Sequence, residues 1–271
     1  MHIEPHSVSA IIMAGGVNRI SLYDGYRPGY KALLNINGTA SIRYPLNALR
    51  QSRYVRDICV VGAREDLVDA VGDPAVAFTP PGGSLLESIV AGLSFYRDRA
   101  FVLATTADLA LLSGTIVDAF IEACAATPTV FETNLFLSVV RKQDFTGPFG
   151  RVDKIMARFR DGTFCHGNVA IVQPALLDDA AAMERINAVY AGRKGALSSA
   201  LAFGARVALV FVIGVYLLHL LTIRQMAAIA SRRFQMGIVP VPVPYPEVAL
   251  DVDEPADYRL VSVILFRRSS A

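Results

Sequence analysis

Three groups of residues have types and spacings suited to chemistry on phosphate. The first is the stretch Ser9 to Lys31. Ser9-Ala10-Ile11-Ile12-Met13-Ala14 is a short, mainly apolar run that stops at Gly15-Gly16, the pattern of a buried strand breaking into a loop. Glycine there lets the backbone approach a ligand and turn its N–H groups toward anionic oxygens. Arg19 and Lys31 follow on the same loop and offer positive charge to a polyphosphate. Asn18, Asp24, Gly25, Arg27, Pro28 and Gly29 fill the loop, which is expected to be mobile. Neither G-x-G-x-x-G nor a Walker G-K-[ST] follows Ile12, so the glycine pair alone is a weak signal.

The second and third groups are carboxylates. Asp108 follows a buried-strand pattern and the pair Thr105-Thr106. Asp251 and Asp253 are two apart, so in an extended segment they point the same way. One carboxylate from each place could hold Mg²⁺, which takes one or two carboxylates plus substrate phosphates. Such an ion offsets charge on a triphosphate, and Lys31 and Arg19 would neutralise the remaining oxygens. Each group also has a purely structural reading. Asp108 suits the loop before the next helix, and Asp251/Asp253 suit a cap on the final helix.

The elements that must position these residues alternate. Strands are expected at Ser9–Met13, Asp57–Val61, Ala75–Phe78 and Phe101–Thr105. Helices are expected at Ser41–Arg50, Glu65–Val71, from Ser84 to about Tyr96, and at Gly114–Cys124. Ser84 with Glu87 has the capping-box spacing, and Ser113 is a second N-cap. Ala32–Asn37 reads as extended and closed by Asn37-Gly38. Strand–helix alternation implies a parallel sheet covered on both faces, with ligands at the carboxyl ends of the strands. Gly15-Gly16, Gly62 and Asp108 all fall at such ends. Further on, strands are expected at Leu135–Val140, Phe164–Gln173 and Gly237–Val243, the last an edge because of Pro240 and Pro242. A turn is expected at Asp161-Gly162, a helix opening at Pro174, and a long mostly helical stretch over Ala188–Arg233. A last short helix is expected to end near Val261.

Composition narrows the class. The chain has 271 residues, 53% hydrophobic and 18% charged, with a net charge of +2. That suffices for one large α/β domain or two small ones and gives no electrostatic case for nucleic acid or an anionic membrane surface. Cys59, Cys124 and Cys165 are too dispersed for a disulfide framework or a metal knuckle, so buried free thiols in a reducing cytoplasm are expected. No signal-peptide pattern opens the sequence. Val207–Leu218 is uncharged and apolar on every helical face. It is shorter than the roughly 20 residues of a spanning helix and reads first as a buried or homodimer-interface helix, with membrane contact as the alternative.

Taken together, Ala14-Gly15-Gly16, Lys31-Ala32-Leu33-Leu34, Thr105-Thr106-Ala107-Asp108, Gly167-Asn168 and the closing Pro246–Tyr258 string, with its Asp251-Val252-Asp253-Glu254-Pro255-Ala256-Asp257-Tyr258, resemble the MobA-like NTP transferase family. This is a nucleotidyltransferase group within the GT-A-like nucleotide-diphospho-sugar transferase superfamily. The resemblance runs in order over almost the whole chain. It implies a three-layer α/β/α fold with a mostly parallel sheet, Mg²⁺, and transfer of NMP from an NTP to a phosphorylated acceptor. It further implies nucleotide binding by Ala14, Gly15, Gly16 and Lys31, which Arg19 would join on the loop reading alone, with Gly82, Gly83 and Ser84 on a base-contacting loop. Lys31 and Asp108 would be catalytic, Asp108 with Asp251 or Asp253 would hold metal, and Asn168 would face the acceptor. The sequence departs from the family pattern at Val17-Asn18-Arg19-Ile20 and in the length of the loop to Lys31. His166, before Gly167-Asn168, reads first as a partly exposed strand-entry histidine, with an unusual acceptor as the alternative.

The expectation is a single cytoplasmic domain over residues 1–271, with a nucleotide-binding half (1–130) and an acceptor-side half (131–271) that carries the apolar segment 204–221. GTP and CTP are the expected nucleotides, and a pterin, sugar or polyol phosphate the expected acceptor. A glycosyltransferase using a preformed nucleotide sugar, and a non-catalytic nucleotide-binding protein with membrane contact, stay open as alternatives.

Overall fold

The computed structural model describes residues 4–128, 133–192 and 220–270. The apolar run Val207–Leu218 lies outside them, as does most of the helical stretch expected over Ala188–Arg233. Among the described residues, no helix is long and apolar enough to cross a membrane.

The strands are β1 (Val8–Met13), β2 (Asn35–Ile36), β3 (Thr39–Ala40), β4 (Val55–Val61), β5 (Ala77–Thr79), β6 (Val102–Thr106), β7 (Thr133–Arg141), β8 (Ala157–Phe159), β9 (Gly162–Val172) and β10 (Gly237–Pro242). The helices are α1 (Arg43–Gln51), α2 (Arg64–Val71), α3 (Leu85–Phe95), α4 (Gly114–Ala126), α5 (Ala180–Gly192), α6 (Ile223–Phe234) and α7 (Pro255–Ser269). The main sheet runs β10-β7-β9-β6-β1-β4-β5, with β8 pairing β9. β1 is parallel to β4 and β6, β4 to β5, and β10 to β7. β9 is antiparallel to β6, β7 and β8.

Alternation along each central strand makes three layers. Ala10 and Ile12 of β1 face the core with α1, α2 and α4, while Ile11 and Met13 face the core with α3, α5 and α6. Ile58 and Val60 of β4 divide from Cys59 and Val61 in the same way. All three cysteines are buried and free.

Local signals act as expected. Ser84 Oγ accepts from the Glu87 N–H at 3.2 Å and caps α3, and Ser113 Oγ caps α4 by accepting from Ile116. The Asn37-Gly38 turn joins β2 to β3, with both residues at positive φ (52° and 84°). β10 lies on the sheet edge, where its prolines sacrifice no ladder bond on the open side.

Three expectations change. Ala32–Asn37 is not extended throughout, since Lys31–Leu33 forms a 3₁₀ turn and the strand covers only Asn35–Ile36. The last helix, α7, does not end near Val261 but continues to Ser269. Val261 and Ile264 pack into a third core with Leu22, Leu34, Ile36 and Leu250, and Arg268 pairs with Glu247 at 2.8 Å. Tertiary burial thus outweighs the weak helix propensity of a segment rich in β-branched residues. The loop expected to be mobile is tied down. A Val17–Tyr30 bridge closes its base, Leu22 is buried, and Tyr23 stacks on Tyr258 of α7 at 4.6 Å.

Candidate functional site

The carboxyl ends of β1 and β6 carry the site. Ala107 N–H donates to the Met13 carbonyl at 3.1 Å, and Ala14 N–H to the Val61 carbonyl at 2.9 Å, so the chain leaves the three central strands at one level. The Lys31 N–H donates to the Gly16 carbonyl at 2.9 Å. That bond brings Lys31 back beside the glycine turn despite the intervening loop.

A cavity of about 560 Å³ opens here. Its walls include Ala14, Gly15, Gly16, Lys31, Gly82, Gly83, Ser84, Asp108, Asn168 and Asp251. Eight of the expected nucleotide and catalytic positions therefore meet in one place, and the expected acceptor residue lines the same cavity. Asp253 adjoins them through its ion pair with Lys31. Arg19 does not join them; it is exposed and lies off the cavity wall. The bridge at Val17 turns the chain before Arg19 is reached. Gly62 also stays outside the wall. A Cβ there would meet Leu67 at 2.5 Å and Ala14 at 3.3 Å, so it serves packing behind the site.

Close approach of the Gly82 loop to α3 is what its glycine permits. A Cβ on Gly82 would fall 2.2 Å from Glu87 Cβ and 2.7 Å from its carbonyl carbon. Ser88, one turn into α3, accepts from the Gly82 N–H at 3.0 Å while its hydroxyl donates to the Ser84 carbonyl at 2.9 Å.

Asn168 reaches the cavity by way of a bulge in β9. Leu137 pairs with Ala170, but Val139 pairs with His166, so Gly167, Asn168 and Val169 together oppose Ser138. Ser138 Oγ donates to the Val169 carbonyl at 2.6 Å and fills the space a side chain on Gly167 would need. A Cβ there would meet Ser138 Oγ at 2.3 Å and Val248 Cγ2 at 2.9 Å. His166 is exposed and does not line the cavity.

Asp108, Asp251 and Asp253 each present an oxygen within 4.8 Å of the others. Asp108 is 5% exposed, and its Oδ1 is buried with no hydrogen-bond partner. A buried carboxylate oxygen without a donor is costly, and a cation is what a cluster of three hard oxygens fits. Two lysines offset most of the cluster's charge. Lys31 Nζ donates to Asp108 Oδ2 at 2.8 Å and also pairs with Asp253. Lys154 Nζ donates to Asp251 Oδ1 at 2.7 Å. Burial pulls the Lys31 ammonium down, but Asp108 and then Asp253 outweigh it and raise its pKa. Burial likewise pushes the Asp251 carboxyl up, and Lys154 reverses that and holds it below 3.8. Neither Asp251 nor Asp253 caps α7; Glu254 is the cap, with Asp257 completing a capping box.

Sequence reasoning missed Lys154 and Ser88. Lys154 stands alone between a 3₁₀ turn and β8, with no motif around it. Ser88 follows the Ser84 cap at i+4, a spacing that could have marked it. The thiols take no part: burial pushes Cys59 up to about 12 and Cys165 up to about 11, so neither is a thiolate at neutral pH.

Residues 10–195 match the family model of the MobA-like NTP transferase domain. A hypothetical transferase from Thermus thermophilus aligns at 29% identity and a TM-score of 0.75, covering 93% of this chain and 99% of its own. A CMP:2-keto-3-deoxy-manno-octonic acid synthetase complexed with CTP aligns at 12% identity and a TM-score of 0.59, over 97% of this chain and 100% of its own. A 4-diphosphocytidyl-2C-methyl-D-erythritol synthase from Anaerococcus prevotii aligns at 13% identity and a TM-score of 0.56, over 96% and 98%. The last two share the fold. No curated protein matches the chain.

Proposed function

The chain belongs to the MobA-like NTP transferase family and is a nucleotidyltransferase, and from that premise we propose that it moves NMP from an NTP to a phosphorylated small-molecule acceptor and releases pyrophosphate. The observation that carries this reading is the meeting of the Gly15-Gly16 backbone, Lys31, Asp108, Asp251 and Asn168 in one cavity, with Asp253 clustered beside the other two carboxylates. We read residues 1–271 as one such domain.

Each residue has a task in this reading. The Gly15 and Gly16 backbone lies against the triphosphate, where a side chain would hold it off. Lys31 turns from its carboxylates to the phosphate oxygens and neutralises charge as the α-phosphorus is attacked. Gly82, Gly83 and Ser84 hold the base, and Ser88 keeps that loop in place. Asn168 orients the acceptor, whose phosphate is the nucleophile, so no protein nucleophile is needed. Asp108, with Asp251 or Asp253, would hold Mg²⁺. When bound, that ion supplies charge neutralisation at the transferring phosphoryl group. Catalysis is otherwise positioning. GTP and CTP are the favoured nucleotides, and a pterin, sugar or polyol phosphate the acceptor. The buried thiols support a cytoplasmic setting.

Pyrophosphate release with Mg²⁺, each of four NTPs and a pool of phosphorylated metabolites tests the reading. Asp108→Ala should abolish release while keeping the fold. Wild-type turnover in that variant would remove the metal assignment. Turnover of a preformed nucleotide sugar without pyrophosphate would mark a glycosyltransferase instead.

A further inference from the structure

Lys154 is the charged side chain of the carboxylate cluster that the proposed reaction leaves without a task. It is 18% exposed, sits on the segment between β7 and β8, and pairs with Asp251, itself 23% exposed. Lys154 does not line the cavity, whereas Asp251 does. Asp253 differs: it is 49% exposed and its cation is Lys31, the side chain that must move toward phosphate. The two outer carboxylates are thus tied to different partners, one that moves during the reaction and one that has no phosphate to move to.

We propose that Lys154 is a positioning residue acting through Asp251: by holding Oδ1 it fixes the carboxylate so that Oδ2 is the oxygen offered to the cation beside Asp108. This rests on the nucleotidyltransferase reading and deepens it. The arrangement has two opposing consequences. The ammonium repels a divalent ion nearby, which weakens binding of the ion alone. It also removes the rotational freedom of Asp251, which keeps the bound assembly in reactive geometry. Affinity for the bare ion is given up for orientation during turnover.

The test uses the full chain, with Lys154→Met and Lys154→Arg. Mn²⁺ alone is titrated into nucleotide-free protein by electron paramagnetic resonance, with Asp108→Asn as the control that removes the site. Pyrophosphate release gives kcat and KM separately. In Lys154→Met, Mn²⁺ should bind about three- to tenfold more tightly. Its kcat should fall about tenfold or more, with KM for the NTP changing less than about threefold. Lys154→Arg keeps the charge and should return Mn²⁺ affinity to within about twofold of wild type and recover most of kcat. Tighter ion binding with slower turnover is a signature that general damage to the fold does not produce, since damage weakens both. Weaker or unchanged Mn²⁺ binding in Lys154→Met, or an unchanged kcat, overturns the proposal. If the wild type binds Mn²⁺ but releases no pyrophosphate with any acceptor, it is the parent reading that fails, and the Mn²⁺ comparison still judges the charge of Lys154.

Discussion

Replacing Lys31 by methionine keeps most of the aliphatic stem and removes the ammonium. The structure sets the cost. Lys31 and Asp108 are 23% and 7% exposed at the side chain, so the variant leaves a buried carboxylate without its cation. Breaking one side of a buried pair costs about 3–5 kcal/mol. Lys31 is partly open to water, which favours the lower end, about 3 kcal/mol. The Asp253 leg is half exposed and adds at most about 1 kcal/mol. For a domain of this size, about 3 kcal/mol lowers Tm by roughly 6–12 °C. The same variant should be rescued by the ion. Mg²⁺ at a hundred times its Kd adds about 2.7 kcal/mol, nearly offsetting the loss, while in the wild type the ammonium competes and the gain is smaller. Urea unfolding in chelator and in Mg²⁺, for both proteins, measures this. A variant within about 0.5 kcal/mol of wild type in chelator, or one that gains no more from Mg²⁺ than wild type does, would refute the account of the cluster.

Two further outcomes follow from the geometry. Gly167→Ala forces a Cβ into Ser138 Oγ and Val248; it should cost about 1–3 kcal/mol and raise KM for the acceptor more than for the NTP, read by calorimetry and by two-substrate kinetics. The Asp251–Lys154 pair sets a pH dependence. The folded pKa of Asp251 lies below 3.8, so its contribution is complete above that value and lost as pH falls through the folded one. Lys154 is raised above 10.5, so its contribution is complete below that value and lost as pH rises further. The stability difference between wild type and Lys154→Met should therefore be flat near neutrality and close below about pH 4; urea titrations across pH measure it, and a difference that grows on acidification would contradict the pairing.

The first half of the chain was legible because its signals are local. An apolar run ended by glycines, the Ser84 and Ser113 caps and a carboxylate after β6 each specify their element within a few residues. The second half was less so, because its features depend on remote partners. The bulge that delivers Asn168 exists only where Ser138 of another strand fills the space beside Gly167. Lys154 gains meaning only from Asp251, 97 residues away. The final helix outran its pattern because residues near the start of the chain bury it. Arg19 lies apart from the cavity for the opposite reason: its charge was visible, but the Val17–Tyr30 bridge that turns the loop before it was not.

The distance along the chain between Lys31 and its carboxylates also sets a schedule. Lys31 meets Asp108 across 77 residues but Asp253 across 222. At about 5–20 residues per second, the second meeting trails the emergence of Lys31 from the ribosome by roughly 10–45 s. A nascent chain that ends before residue 251 lacks two of the three clustered acids, and since Asp251 and Asn168 also wall the cavity, neither the cluster nor the cavity is complete until late. Competence arrives as a late step of synthesis, when the segment carrying Asp251 and Asp253 closes over a lysine that has been waiting since the beginning.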